Sequence, residues 1–150
     1  MQFFPARHKG LTLIELLVVV VIIGVMATPL LLTYRSHRTS QALLSSAETV
    51  ANHTRSAHVF AREARTQRGW GVRSTGQTSY SIFSLSTAGT RDEQKYVLDS
   101  GVAFEDDFEI LFEIGTGDTA RDATIVLVNA NGRKSVVNVG RSGVVEVIHE

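Results

Sequence analysis

The chain has 150 residues, with 15 Lys and Arg set against 15 Asp and Glu, so its formal net charge is zero, and 43% of it is hydrophobic. That balance demands neither nucleic acid nor an anionic lipid surface as a partner. Cysteine is absent, which excludes disulfides, thiolate metal sites and thiol catalysis, and leaves any small exported domain to be stable by packing alone.

The first element in chain order is an apolar run. Residues 9–27 read KGLTLIELLVVVVIIGVMA, behind a short basic leader containing Arg7 and Lys9. Residues 11–32 are long enough to cross a bilayer core as a helix, and the two basic residues ahead of them set the amino terminus inside. One charge, Glu15, interrupts the run. An acidic side chain at membrane depth costs on the order of 2.5–3.5 kcal/mol and is usually retained for a function, so it argues against a plain uncleaved anchor. It argues equally against an ordinary secretory signal cut after Ala27, as does Pro29 placed just beyond that site.

The pattern resembles the class III signal of type IV prepilins, which has a basic leader ending in Gly, a residue that is usually Phe, then T-L-I-E and an apolar helix. Gly10, Thr12, Leu13, Ile14, Glu15 and Gly24 match, and Leu11 stands where Phe is usual. The resemblance implies that a prepilin peptidase cuts between Gly10 and Leu11 and methylates the new amino terminus at Leu11. Residues 1–10 are then a leader outside the fold. Losing Arg7 and Lys9 leaves 13 basic against 15 acidic residues, a mature charge of about −2. The resemblance also implies that Glu15 pairs with the Leu11 amino group of an adjacent subunit during assembly.

Residues 33–68 continue without Gly or Pro. Leu43, Ala47, Val50, Thr54, Ala57, Ala61 and Ala64 recur at spacings of four and three, which marks one stripe of an α-helix covering a core. Pro29 lacks an amide hydrogen and is expected to kink or loosen the helix locally; Gly24 adds to that freedom. Gly69-Trp70-Gly71 is expected to end the helix, with Gly69 in the left-handed position and Arg62, Arg65 and Arg68 complementing the C-terminal dipole.

Beyond Gly71 the period becomes that of strands. Residues 80–85, 95–98, 102–104 and 108–114 are short β-prone stretches. Residues 123–128, 134–139 and 144–148, joined by the Gly-containing connections 129–133 and 140–143, read as a β-meander. The expected class is α+β: a long N-terminal helix, membrane-spanning in its first half, packed on a small antiparallel β-sheet head. The segments are 1–10 leader, 11–32 transmembrane or filament-core helix, 33–70 amphipathic half of the helix, and 71–150 head. This layout resembles the GspH/FimT family of minor pilins and pseudopilins, with a specific match only over the first thirty residues. The resemblance implies a structural subunit of a type IV pilus-like or type II secretion filament. Its partners would be other pilin subunits, the prepilin peptidase, an inner-membrane assembly platform and, before assembly, lipid. The alternative is a DNA-binding minor pilin of a competence pilus.

Little in the sequence carries catalytic chemistry. His37, His53 and His58 lie on the helix, but none are four apart, and His53 and His58 diverge by about 140° around it. They read as solvated surface residues. No nucleophile elbow, Walker-type loop or dinucleotide fingerprint occurs, and Gly115 and Gly117 sit in a G-T-G-D connection. No enzyme activity and no cofactor are expected. The acidic group Glu105, Asp106, Asp107 and Glu109 is the candidate calcium site, although its spacing matches no EF-hand loop. Arg133, Lys134 and Arg141 are the candidate DNA phosphate contacts, opposed by the acidic ending Glu146 to Glu150.

Overall fold

The computed structural model describes residues 12–64, 68–86, 89 and 91–149, without the side chains of 27–33, 35 and 91. One helix, α1 (Leu13–Arg62), is followed by eight strands: β1 (Gly69–Gly76), β2 (Ser79–Leu85), β3 (Arg91–Val97), β4 (Val102–Phe104), β5 (Glu109–Phe112), β6 (Ala123–Asn129), β7 (Lys134–Val139) and β8 (Val145–His149). The chain divides into two compact units, residues 1–36 and 37–150.

The first unit contains the start of α1 and no strand. Its backbone is helical through Gly24 and Pro29. Its described apolar side chains have no core to enter, and Leu13, Ile14, Leu16 to Ile23, Val25 and Met26 are exposed wherever they are large and hydrophobic.

The second unit is a head in which the rest of α1 packs on two antiparallel sheets, ordered β3-β2-β1-β5 and β4-β6-β7-β8. The expected stripe is the buried face of the helix. Leu43, Ala47, Val50, Thr54, Ala57 and Ala61 are all buried, joined by Ser46 and Ala51. Their smallness lets the helix backbone approach large side chains from the sheets, among them Tyr80, Phe104, Ile110, Phe112, Ile125 and Leu127. The last three strands form the expected meander. Val137 on β7 pairs with Ile125 on β6 and Val147 on β8.

Two expectations fail at the end of the helix. α1 stops at Arg62 rather than running to residue 68, and Ala64 is exposed with a left-handed φ of 49°. The Ala61 carbonyl accepts hydrogen bonds from the Ala64 amide at 3.0 Å and from the Gly115 amide at 2.8 Å, so a tightened last turn and a loop of the head together close the helix. Gly69-Trp70-Gly71 is not a cap but the opening of β1. Gly71 pairs with Phe83 on β2 and Leu111 on β5. A Cβ there would lie 2.6 Å from Phe83 Cζ and still closer to the Ile110 carbonyl oxygen. Glycine is required at that point by an aromatic ring crossing the strand.

The expected antiparallel β head is built as two sheets because the middle strands alternate between them. β3 belongs to the first sheet, β4 pairs with β6 in the second, and β5 returns to β1 in the first. β3 is also longer than the expected 95–98 stretch, since its charged half Arg91 to Gln94 pairs along β2 as an outer strand.

Candidate functional site

The helix start is built from Thr12 and Glu15. The Thr12 hydroxyl oxygen accepts a hydrogen bond from the Glu15 amide at 3.3 Å, and Glu15 Oε2 accepts one from the Thr12 amide at 3.5 Å. This is a reciprocal capping box, in which a Thr at the cap and a Glu three residues on satisfy donors that the helix cannot. Its signal, Thr-x-x-Glu ahead of an apolar run, is present in the sequence, but the reading above assigned Glu15 a role only between subunits. Downstream, the large apolar side chains from Leu13 to Met26 are 47% to 83% exposed and lie on every side of the helix. A helix apolar all round requires apolar surroundings. Among the described residues no helix is long and apolar enough to cross a membrane; the expected span 11–32 includes Leu11 and side chains outside the described set. The Gly10–Leu11 cleavage site lies outside the described residues as well. A Cβ at Gly24 would meet nothing within 4 Å, so space for close approach exists at that turn.

The candidate ion ligands do not converge. Glu105 accepts hydrogen bonds from Lys134 Nζ at 2.5 and 2.7 Å through its two oxygens, and Asp107 accepts one from the Ser74 hydroxyl at 3.0 Å. Among the described residues no group of three or more His, Asp or Glu could hold a metal ion. Lys134, a candidate phosphate contact, is thus engaged in an ion pair with Glu105. Arg133 reaches Ser40 Oγ at 3.4 Å from the β6–β7 turn. Arg141 lies past the far end of β7, roughly 20 Å away at strand rise, where its amide donates to Asp122 at 2.8 Å. The three basic residues therefore form no single patch.

The histidines depart from the solvated reading in two of three cases. His37 is exposed, whereas His53 and His58 are half-buried. His53 Nδ1 and the Tyr80 hydroxyl are hydrogen-bonded at 2.7 Å, and the imidazole lies 4.1 Å from the Tyr96 ring, centroid to centroid. Burial holds the His53 pKa below the ordinary imidazole value. Burial, and secondarily Tyr96, push the Tyr80 phenol above its ordinary value. His58 packs against Phe112, with ring centroids 5.6 Å apart, and its imidazole lies where side chains of Gly117 and Gly143 would be.

A cleft of about 440 Å³ between α1 and β3 is lined by His53, Ser56, Phe60, Trp70, Asp92 and Tyr96, among others. It holds a serine, a histidine and an aspartate, yet they do not act as a unit. Ser56 donates to the Asn52 carbonyl at 2.9 Å, His53 is bonded to Tyr80, and Asp92 is paired with Arg68. Without a nucleophile–base hydrogen bond the set has no activated nucleophile.

A helix with a capped, acid-bearing apolar start, joined to a two-sheet head, is a pilin-like architecture. Residues 5–31 match the family model described as the prokaryotic N-terminal methylation motif. The fold is similar to that of the minor pseudopilin EpsH from the type 2 secretion system of Vibrio cholerae. That likeness has a TM-score of 0.58 at 11% identity and covers 71% of this chain and 96% of that one. No curated protein sequence matches the chain.

Proposed function

We propose that the chain is a minor pilin or pseudopilin, a structural subunit that waits in the cytoplasmic membrane and leaves it to join an extracytoplasmic filament. The observation that carries this reading is the contrast within one helix. Residues 13–26 expose large apolar side chains all round, apart from Glu15 and Gly24, while the Leu43 to Ala61 face is buried in the chain's own head. The first part needs lipid or other helices around it, and exchange between those two environments is feasible because both accept an apolar surface. The methylation motif over residues 5–31 supports the same reading.

In this reading the peptidase cuts after Gly10, and the Leu11 amine is methylated. Glu15 then pairs with that amine in a neighbouring subunit, so a charge that is unfavourable in lipid becomes a device of register in the filament. The chain performs no catalysis in this role, and its head forms the outer surface. Intact-mass analysis of protein from native membranes tests the processing: the expected chain begins at Leu11 and is heavier by one methyl group. A chain starting at Thr28, or one retaining Met1, removes the basis for the filament. Glu15→Leu tests assembly. The variant should insert and be cleaved, yet be scarce in sheared filaments, because an amine buried without a partner costs about 3–5 kcal/mol.

A further inference from the structure

We propose that Asn131 is a modification site: attack by the next backbone nitrogen converts its side-chain amide to a carboxylate, at a rate governed by the hydrogen bond that ties it to Thr39. The inference stands independently of the filament reading above.

The chemistry needs an asparagine followed by an uncrowded backbone nitrogen. Asn52, Asn129 and Asn138 precede His53, Ala130 and Val139, and only Asn131 precedes a glycine. Gly132 has no Cβ to shield its nitrogen, and a Cβ built there would meet nothing within 4 Å. Both residues are exposed, so water and base reach them, whereas Asn129 is buried. In the reaction a base removes the Gly132 amide proton, and the nitrogen attacks Asn131 Cγ. The Cγ–Nδ2 bond breaks and, with that proton returned, Nδ2 leaves as ammonia. The five-membered succinimide that remains takes up one water at either carbonyl and opens to aspartate or isoaspartate. In sum, one amide and one water give one carboxylate and one ammonium ion, with no oxidant or reductant.

Two hydrogen bonds oppose the attack. Asn131 Nδ2 donates to the Thr39 hydroxyl oxygen at 2.9 Å, which holds the side chain to α1. The Gly132 amide donates to the Asn129 carbonyl at 2.9 Å, which engages the nucleophile. The reaction therefore proceeds from molecules in which both bonds are open. An exposed turn opens without unfolding the head, so the strength of these local bonds sets the rate.

The product changes how the turn is fastened. A carboxylate has no donor, so the bond from Nδ2 to Thr39 is lost, and a negative charge appears two residues from Arg133. Isoaspartate also adds one main-chain carbon between residues 131 and 132. Asn129 Oδ1 accepts from the amides of Asn131 and Arg133, each at 3.0 Å, and a longer path between those two amides breaks that clamp. Modification thus loosens the β6–β7 turn from α1 at Thr39 and Ser40, where Asn129 and Arg133 also make contact.

The test incubates the full chain in detergent micelles at mildly alkaline pH, folded or in urea, and maps its peptides by mass spectrometry, with isoaspartate read by enzymatic carboxyl methylation. The amide-to-acid mass gain should fall on Asn131 and spare the other three asparagines. In the folded chain Thr39→Val should speed conversion about fivefold, the equivalent of one lost hydrogen bond, and Thr39→Ser should stay near wild type. In urea all three should convert at the same rate, and Gly132→Ala should convert more slowly. A folded wild-type chain still unmodified at residue 131 when the chain in urea has converted fully overturns the site. Equal folded rates for wild type and Thr39→Val overturn the control by Thr39, and undiminished conversion of Gly132→Ala in urea overturns the route through its nitrogen.

Discussion

Gly117→Ala offers a test of how the head closes over the end of its helix, because a second glycine supplies the control. Gly117 and Gly132 share a φ of +77°, a left-handed conformation that a residue with a Cβ adopts at about 1–2 kcal/mol. Their surroundings differ. A Cβ at Gly132 would meet nothing within 4 Å, whereas one at Gly117 would lie 2.6 Å from both Cδ2 and Nε2 of His58 and 3.3 Å from Arg62 Cβ. The same ring edge also fills the space of a Cβ at Gly143, whose φ is +76°, so the imidazole is packed against both glycines and has to shift as a whole to admit a methyl group. Overpacking of this kind costs about 1–3 kcal/mol. Gly132→Ala should therefore carry the backbone cost alone, and Gly117→Ala about 1–3 kcal/mol more. In a His58→Ala background the extra cost should vanish, leaving the two alanine substitutions nearly equal. Urea unfolding of the head, residues 33–150, with and without His58 gives the complete double-mutant cycle. Equal midpoints for Gly117→Ala and Gly132→Ala in the presence of His58 would show that the imidazole is not clasped and would refute the reasoning.

The other expectations concern the same head. A chain beginning at Thr33 should be soluble, monomeric and folded with mixed helix and strand circular dichroism, and Ala57→Asp or Ala61→Asp should lower its stability by about 3–5 kcal/mol by burying an unpaired charge. Burial lowers the His53 pKa, so as pH falls the unfolded chain takes up that proton before the folded one does. The His53 contribution is complete above the ordinary imidazole pKa of about 6.5 and is lost below it; His53→Gln should flatten that part of a stability–pH profile. Lys134→Ala should change the urea midpoint little, by under about 1 kcal/mol, because the Lys134 and Glu105 side chains are 41% and 40% exposed. A large loss would instead make that pair a fastening of β4 to β7.

What the sequence revealed was whatever is periodic or local. The Leu43 to Ala61 stripe is visible because a helix repeats its buried face every three or four residues, and the meander is visible because β6 and β7 alternate buried and half-exposed positions along their lengths. β1 was hidden by two glycines that read as punctuation, although Gly71 serves the Phe83 ring on the next strand. β3 was half hidden because an outer strand carries Arg91, Asp92, Glu93 and Lys95, which guard an open edge and erase the apolar signal. His53 looked solvated for a similar reason. Its partners Tyr80 and Tyr96 come from β2 and β3, and no local pattern announces a contact made across the fold.

The composition of α1 also explains why its two parts require different treatment in any experiment. From Leu43 to Ala61 the helix faces the sheets with four alanines and only two larger aliphatic side chains, Leu43 and Val50, and the bulk is supplied by the aromatic and branched residues opposite. Enlarging an alanine there forces the sheets to move, so substitutions report on the head's own packing. From Leu13 to Met26 the bulk is on the helix itself and nothing within its compact unit buries it. Substitutions among those leucines, valines and isoleucines should leave head stability unchanged and act only through whatever apolar medium surrounds the helix. The exceptions are Thr12 and Glu15, whose hydrogen bonds are internal. They are consequently the positions in that region where a polar substitution alters the subunit before any neighbour is present.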